Sequence, residues 1–140
     1  MKQYVVDASV VAAAFFKEEH ADRARSILTS ANVLQVPDLI YAEIGNVIWK
    51  RHGRGEIDDA EAAALLEDIR ALPFQTTSCE DLVASALALA LRTKRTVYDS
   101  VYLALAVATD SVMVTGDKRL FHALSKGTLA KHLNWIGDKS

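Results

Sequence analysis

The sequence predicts a single α/β domain in which a central parallel sheet lies between two layers of helices. Short apolar runs rich in β-branched residues alternate with helical stretches, a pattern typical of parallel sheets that are covered on both faces. The 140 residues, of which 51% are hydrophobic, have the size of one ordinary domain with a sizeable core. No repeat or interdomain linker interrupts the pattern, so we expect residues 1–140 to form one domain.

Five short segments, of which 4–6, 33–36 and 112–114 are mostly apolar, are predicted to be the strands of this sheet. Each is too short for an ordinary helix and ends at residues that commonly close strands. The first stops at Asp7 and the second at Pro37. The predicted strands are 4–6, 33–36, 74–77, 112–114 and 132–136.

The helices are predicted from the helical spacing of apolar residues and from residues that favour helix starts. Ser9, Asp38 and Ser78 are candidate caps for three of them. The segment 96–108, which includes Tyr98, is apolar nearly all round, and this predicts a helix that runs through the core. The predicted helices are 9–16, 21–28, 39–53, 59–72, 80–91, 96–108 and a short one after residue 117.

Charge and composition narrow the classes of function. A net charge of −2 argues against a protein that holds nucleic acid by global positive charge, so a polyanion must meet local basic groups or metal ions. The single Cys79 cannot form an internal disulfide and the N-terminus lacks a signal-peptide layout, so we expect a cytoplasmic location. The longest apolar runs, 10–16 and 101–108, are far shorter than the roughly 18 to 20 residues that span a bilayer. No membrane segment is expected.

Four acidic residues are candidates for a metal site at one edge of the sheet. Asp7 and Asp117 each follow a predicted strand, and ligands of open α/β sheets bind outside the carboxyl ends of the strands. Asp99 begins the apolar helix, and Glu43 lies beside the apolar stripe of another helix. Ionised carboxylates in such positions need partners, because their desolvation is costly. A hard divalent cation such as Mg²⁺ or Mn²⁺, which prefers oxygen ligands, would supply one.

Each of these acids also has a purely structural interpretation. Asp7 is suited to end a strand, Asp99 to cap a helix and Asp117 to form a Gly-Asp turn. Glu43 is harder to explain in this way, because glutamate beside a core stripe is uncommon. The four positions together favour the functional interpretation.

Four segments match a known family in order and spread across most of the chain. They are VVDASVV, PDLIYAEIGNVI, YDSVYLALA and VMVTGDKRL, found between residues 5 and 120. No single segment is specific, but the ordered set is, and by it the sequence resembles PIN domains, in particular the VapC-type toxins of bacterial toxin–antitoxin pairs. The resemblance implies a three-layer α/β/α fold and a pocket in which divalent metal is held by Asp7, Glu43, Asp99 and Asp117.

The resemblance also implies supporting roles around these acids. Ser9 and Thr115 match polar positions that help to orient the carboxylates, and Asn46, one turn after Glu43, is a candidate for the same role. The structural alternatives are a helix cap for Ser9, a strand-end hydroxyl for Thr115 and a solvated helix position for Asn46.

Basic, aromatic and histidine residues give weaker indications. Lys118 and Arg119 adjoin Asp117 and are the favoured candidates for contact with an RNA backbone, although any one basic residue is most simply a solvated charge. Trp49, near a helix end, is interpreted as a packing or oligomer contact rather than a base-stacking residue. The histidines are interpreted as surface residues: His20, His52, His122 and His132.

By this resemblance the chain is expected to be an endoribonuclease toxin dependent on Mg²⁺ or Mn²⁺ that hydrolyses phosphodiester bonds in structured cellular RNA such as tRNA or rRNA. Bound metal would activate a water ligand and neutralise charge on the phosphate. The expected partners are a cognate antitoxin, the RNA substrate and a second copy of the chain as a homodimer.

Two other functions compete with this expectation. A phosphotransfer receiver domain also gathers aspartates around Mg²⁺, but it requires adjacent acids after the first strand and a lysine after a late one. Asp7 has no acidic neighbour, and Asp117 occupies the late position. A catalytically silent PIN-like module that only binds RNA or protein would have lost one or more of the four acids, and all four are present.

Overall fold

The structure is a computed structural model that describes residues 2–29 and 31–138, and these residues form one sheet with helices around it. The strands are β1 (Gln3–Val6), β2 (Val33–Pro37), β3 (Phe74–Thr77), β4 (Val112–Thr115) and β5 (Leu133–Trp135). The helices are α1 (Ala8–Phe15), α2 (Ala21–Thr29), α3 (Leu39–Gly53), α4 (Asp59–Arg70), α5 (Cys79–Thr93), α6 (Val97–Ala108) and α7 (Lys118–Leu124), and a 3₁₀ turn covers Ala130–His132.

All five strands are parallel and lie in the order β3-β2-β1-β4-β5. In the central strand, Tyr4 pairs with Leu34 on one side and with Val112 on the other. The chain moves outward from β1 to β3 and then returns to place β4 on the opposite side of β1. This reversal makes the crevice between β1 and β4 a topological switch point, where ligands bind in folds of this kind. The predicted α/β class with a parallel sheet between helical layers is confirmed.

The core lies between the sheet and the helices that cover it. Val5, Val6, Val36 and Val114 are completely buried in the three central strands, each contributing about 1.5 to 3 kcal/mol to stability. The helix α6 packs on β1, β2 and β4 and buries its residues 100–106. In the described residues no helix combines the length and the hydropathy needed to cross a bilayer.

One predicted helix cap is wrong in the structure, and a second is correct in position only. The N-cap of α1 is Asp7, not Ser9, because the Asp7 carboxylate accepts hydrogen bonds from the first backbone amides of the helix. Asp38 precedes α3 but makes no cap hydrogen bond; its carboxylate accepts from the backbone N–H of Cys79 at 3.0 Å instead. Asp38 therefore joins the end of β2 to the start of α5. Ser78 caps α5 as predicted.

Two predictions of burial are also wrong. The apolar segment predicts Tyr98 in the core, but it is 65% exposed, since burial in α6 begins only at Ser100. His132 was expected on the surface, but it is buried in the 3₁₀ turn, where its Nδ1 lies 3.0 Å from the carbonyl oxygen of Ser111. The last strand therefore begins at Leu133, one residue later than predicted.

Candidate active site

The ends of the two central strands bring two of the acids to one edge of the sheet. Asp7 directly follows β1, and Asp117 comes two residues after β4. Since β1 and β4 are parallel neighbours, with Val6 opposite Val114, both residues lie at the carboxyl edge beside the switch point.

Asp7 is the most deeply buried of the four acids and is held through both carboxylate oxygens. Its Oδ1 accepts from the backbone N–H groups of Ser9 at 3.0 Å and Val10 at 3.3 Å, and also from the Ser9 hydroxyl. Its Oδ2 accepts from the Thr115 hydroxyl at 2.5 Å. Burial raises the pKa of Asp7 to about 6, although the hydrogen bonds from Ser9, Thr115 and Val10 oppose that rise.

The hydroxyls of Ser9 and Thr115 join this carboxylate to the loop after β4. The Ser9 Oγ accepts from the Gly116 N–H at 2.8 Å, and the Thr115 Oγ1 accepts from the Asp117 N–H at 3.0 Å. A Cβ atom on Gly116 would lie only 3.1 Å from the Ser9 Oγ, so a side chain there would press on the loop. Each hydroxyl thus donates to Asp7 while accepting from the neighbouring loop, which fixes the relative positions of the two strand ends.

Asp117 is the N-cap of α7. Its Oδ1 accepts from the backbone N–H groups of Arg119 at 3.0 Å and Leu120 at 3.2 Å. The Gly-Asp turn that the sequence suggested and the functional interpretation are therefore compatible, since the cap hydrogen bonds use only one carboxylate oxygen.

Glu43 enters the site from α3 and is held by a residue of α6. The Tyr102 hydroxyl donates to the Glu43 Oε1 at 2.5 Å, and Tyr102 itself is 3% exposed. Partial burial raises the pKa of Glu43, the Tyr102 hydrogen bond lowers it, and the charge of Asp99 raises it. Burial and the Glu43 charge also raise the pKa of Tyr102, which keeps it a hydrogen-bond donor.

Asp99 lies in the first turn of α6, where Thr96 and not Asp99 is the N-cap. Its Oδ2 is 3.5 Å from the Nη2 of Arg95, which lies four residues earlier, just before the helix. Burial raises the pKa of Asp99 and the charge of Asp117 adds to the rise, whereas the Arg95 guanidinium lowers it. The helix-cap alternative for Asp99 is therefore wrong.

Electrostatic repulsion connects all four acids. The charge of Glu43 raises the pKa of Asp7, that of Asp99 raises the pKa of Glu43, and that of Asp117 raises the pKa of Asp99. Oxygen donors crowded in this way suit a hard divalent cation. Within residues 2–29 and 31–138, however, no three His, Cys, Asp or Glu side chains are placed to hold a metal ion together. Coordination by several of these carboxylates would therefore require their side chains to move.

Three further candidates from the sequence lie around this centre. Asn46 is exposed on α3, as its solvated alternative predicts. Lys118 and Arg119 are both exposed at the start of α7, and the Lys118 Nζ lies 4.8 Å from the ring centroid of Trp135.

Two residues that contact the acids were missed by sequence reasoning. Tyr102 lies in the segment that the sequence predicts to be core. A buried tyrosine hydroxyl usually has a hydrogen-bond partner, so its presence in that segment already indicated a polar neighbour. Arg95 lies just before the predicted helix 96–108, and its spacing of four residues from Asp99 was the only sign of an ion pair in the sequence.

Comparison with known proteins identifies the family. A family model described as PIN domain matches residues 4–127 of the chain. The chain belongs to the PIN domain family. This PIN domain is 36% identical over 118 residues to ribonuclease VapC3 of Pyrobaculum aerophilum, covering 83% of the chain and 90% of that protein. It is therefore a VapC-type PIN domain, and this membership excludes the receiver-domain alternative.

Solved structures agree with the family on the fold. The crystal structure of PAE2754 from Pyrobaculum aerophilum matches with a TM-score of 0.66 and 26% identity, covering 90% of this chain and 82% of that one. The structure of VapBC-1 from nontypeable Haemophilus influenzae matches with a TM-score of 0.65 and 12% identity, covering 97% of this chain and 99% of that one.

Proposed function

We propose that this VapC-type PIN domain is a metal-dependent endoribonuclease that acts as the toxin of a toxin–antitoxin pair. The observation that carries the proposal is a set of four carboxylates beside the switch point of the sheet, each repelled by a neighbour in the set. The relative named ribonuclease VapC3 supports the same activity.

The carboxylates of Asp7, Glu43, Asp99 and Asp117 would hold one or two Mg²⁺ or Mn²⁺ ions. When bound, such an ion supplies an activated water at neutral pH and neutralises charge that builds on the phosphate oxygens. Donor chemistry supports this assignment, because all four groups offer the oxygen ligands that these cations prefer.

The surrounding residues would position this acidic centre and keep it ionised. Ser9 and Thr115 donate to Asp7, and Tyr102 donates to Glu43, so each of these acids is held in one orientation by a hydroxyl. The same hydrogen bonds favour the charged carboxylates. They therefore lower the pKa values of Asp7 and Glu43, whereas burial raises them. With a pKa of about 6, Asp7 is mostly ionised at neutral pH.

The proposed substrate is structured cellular RNA, such as tRNA or rRNA. With a net charge of −2, the chain must meet the phosphate backbone through local cations. Lys118 and Arg119 are exposed beside Asp117, and Arg95 lies beside Asp99, so cationic side chains flank the acidic centre on two sides. These residues are the proposed contacts to the phosphates on either side of the scissile bond.

The proposed partners are a cognate antitoxin, as in other VapC-type toxins, and a second copy of the chain in the cytoplasm. Support for the homodimer comes from α5, where Val83, Leu87 and Leu91 are 48%, 49% and 74% exposed. Their spacing of four residues places them in one apolar stripe on the helix surface. Such a stripe is what a helix-to-helix contact between two copies would bury.

The competing function is a PIN-like module that binds RNA or protein without cleaving it. An assay of total cellular RNA with the purified protein distinguishes the ribonuclease from the non-cleaving module. The assay is run with Mg²⁺ or Mn²⁺ and, in parallel, with EDTA. We expect cleavage only with metal, and we expect the products to carry 5′-phosphate and 3′-hydroxyl ends.

Single neutral substitutions then assign the activity to the acids. Asp7→Asn and Asp99→Asn should each abolish cleavage while the variants remain folded, because metal affinity depends on ligand charge. Asp68→Asn is the matched control, since Asp68 is exposed on α4. Metal-dependent cleavage by either active-site variant at the wild-type rate would remove that residue from the proposed site.

A further inference from the structure

A pocket of about 230 Å³ opens directly beside the acidic centre, at the outer side of the β1–β4 crevice. Ser9 and Gly116, which hold Asp7 and the loop after β4, form one wall of it. The opposite wall comes from the α1–α2 corner and from the end of β5. The residues that matter most there are Trp135, His20, Lys118 and Glu19.

The indole of Trp135 is held in a defined orientation within this pocket. The His20 ring meets it edge-on, with centroids 5.2 Å apart and an interplanar angle of 78°. A Cβ atom on Gly137 would lie 2.3 Å from two carbons of the indole, so only glycine allows the ring to pack there. His20 has a φ of +67°, in the left-handed region that is uncommon for residues other than glycine.

The lining of the pocket offers hydrogen-bond acceptors on one side and an ammonium group on the other. Glu18 and Glu19 contribute carboxylates, and the Glu19 side chain is 89% exposed with an oxygen 3.6 Å from the His20 Nε2. Glu18 is paired with Arg51. Carboxylates repel a phosphate group but accept hydrogen bonds from the N–H groups of a nucleobase edge. The cation of the pocket, Lys118, lies next to Asp117 on the side of the acidic centre.

The size of the pocket limits what it can hold. Its volume is below the roughly 300 to 1,000 Å³ of sites that enclose drug-sized ligands. A single planar base attached to a chain that continues outside is the class of ligand that fits. Single-stranded RNA is recognised in this manner, with unstacked bases laid against aromatic side chains and hydrogen-bonded along their edges.

We propose that this pocket binds one unstacked nucleobase of the RNA, next to the phosphodiester presented to the acidic centre. The base stacks on Trp135, and its N–H groups face Glu19. The Lys118 ammonium now lies over the indole at 4.8 Å. Its flexible stem allows it to move to the adjoining phosphate when the base enters. This inference rests on the proposed ribonuclease function and adds to it the part of the substrate that sets the cleavage position.

Tryptophan fluorescence tests the pocket without any cleavage. Trp49 is 69% exposed on α3, and the sequence contains two tryptophans, so Trp49→Phe leaves Trp135 as the only indole. This variant is titrated in EDTA with three probes: a short single-stranded RNA of mixed sequence, an abasic sugar–phosphate chain of equal length, and inorganic phosphate. Fluorescence anisotropy of labelled RNA reports binding independently. Trp135→Phe, which retains Trp49, is the control for quenching outside the pocket.

We expect the RNA to quench Trp135 and the abasic chain and phosphate to leave it unchanged. Trp135→Leu should weaken RNA binding about 5- to 150-fold, the range expected for loss of one stacked base, whereas Trp135→Phe should retain most of the affinity. In cleavage assays the same loss should raise KM with little change in kcat, because the base is bound equally in the ground and transition states.

The two levels of the proposal fail in different ways. Cleavage of RNA without quenching of Trp135 would overturn the base pocket and leave the ribonuclease. Quenching in a protein that cleaves no RNA would overturn the ribonuclease and leave a base-binding pocket. Equal quenching by the abasic chain, or quenching by a purified antitoxin but not by RNA, would also overturn the pocket proposal.

Discussion

Neutralising Asp7 should remove a pH-dependent cost to the stability of the metal-free protein. Burial raises the pKa of this carboxyl from 3.8 to about 6, so the charged form is disfavoured in the folded state. At 1.36 kcal/mol for each pKa unit, the charged carboxylate costs the folded state about 3 kcal/mol above pH 6. Asp7→Asn removes that cost and nearly preserves the shape of the side chain. It also weakens hydrogen bonds that a charged acceptor strengthens, and such bonds are worth about 1.5 to 3 kcal/mol each.

The pH dependence gives this prediction its sign. Between 3.8 and about 6 the folded protein binds a proton at Asp7 that the unfolded chain does not, so the wild type gains stability as the pH falls through this range. The gain is complete below 3.8 and absent above 6. Asp7→Asn cannot bind that proton, so its free energy of unfolding should change less over the same range.

Urea denaturation in EDTA at a series of pH values measures both effects. The difference in free energy of unfolding between Asp7→Asn and wild type should fall by about 2 kcal/mol from pH 7 to pH 4. Asp68→Asn, on the exposed surface of α4, should follow the wild-type curve. A wild type and Asp7→Asn with parallel pH curves would refute the reasoning, because Asp7 would then titrate alike in the folded and unfolded states.

Three further predictions concern the hydroxyls around the acids and the proposed biology. Tyr102→Phe removes the 2.5 Å hydrogen bond to Glu43 and should lower the free energy of unfolding in urea by about 1 to 3 kcal/mol. Because that bond lowers the pKa of Glu43, the acid limb of the pH–cleavage profile should also move to higher pH. An unchanged profile would show that Tyr102 does not act on the site. Thr115→Val removes the hydroxyl that joins Asp7 to Asp117, and we expect a similar loss of stability together with weaker Mn²⁺ binding in calorimetry. Expression of the chain alone should arrest growth, and co-expression of its antitoxin should restore it; harmless expression of folded protein at high level would contradict the toxin function.

The three central strands were predictable because strands buried on both faces are apolar along their length. Runs such as residues 4–6 and 112–114 are short, apolar and rich in β-branched residues. The position of Asp7 and Asp117 at one edge followed from the strand ends alone. These inferences need only local pattern and the general geometry of parallel sheets.

The contacts that hold the acids depended on neighbours that the sequence does not reveal. Thr115 donates to Asp7 across 108 positions of the chain, and this bond exists only because β4 lies beside β1. Strand order is set by the path of the connecting helices, which local pattern does not report. Likewise Trp135 and His20 come from opposite ends of the chain, and nothing in either local sequence indicates that their rings meet.

Burial errors had a different origin. The apolar composition of 96–108 suggested a helix enclosed on every side, but only residues 100–106 of α6 are buried, and Tyr98 and Val107 near its two ends are exposed. His132 was counted with the surface residues because a lone histidine gives no sign of a buried partner. Its bond to the Ser111 carbonyl follows from the 3₁₀ turn before β5.

The central claim is that the four acids form one metal site, and the metal response of the melting temperature tests it most directly. Mn²⁺ that binds only the folded protein should stabilise the wild type by about 2.7 kcal/mol at 100 times its dissociation constant. Asp99→Asn should melt at the same or a higher temperature than wild type in EDTA, because it relieves the repulsion that Asp99 shares with Glu43 and Asp117. Its Mn²⁺-dependent rise in melting temperature should be much smaller, whereas Asp68→Asn should respond as wild type does. An equal Mn²⁺ response in wild type and Asp99→Asn would contradict a shared metal site and remove the physical basis of the nuclease proposal.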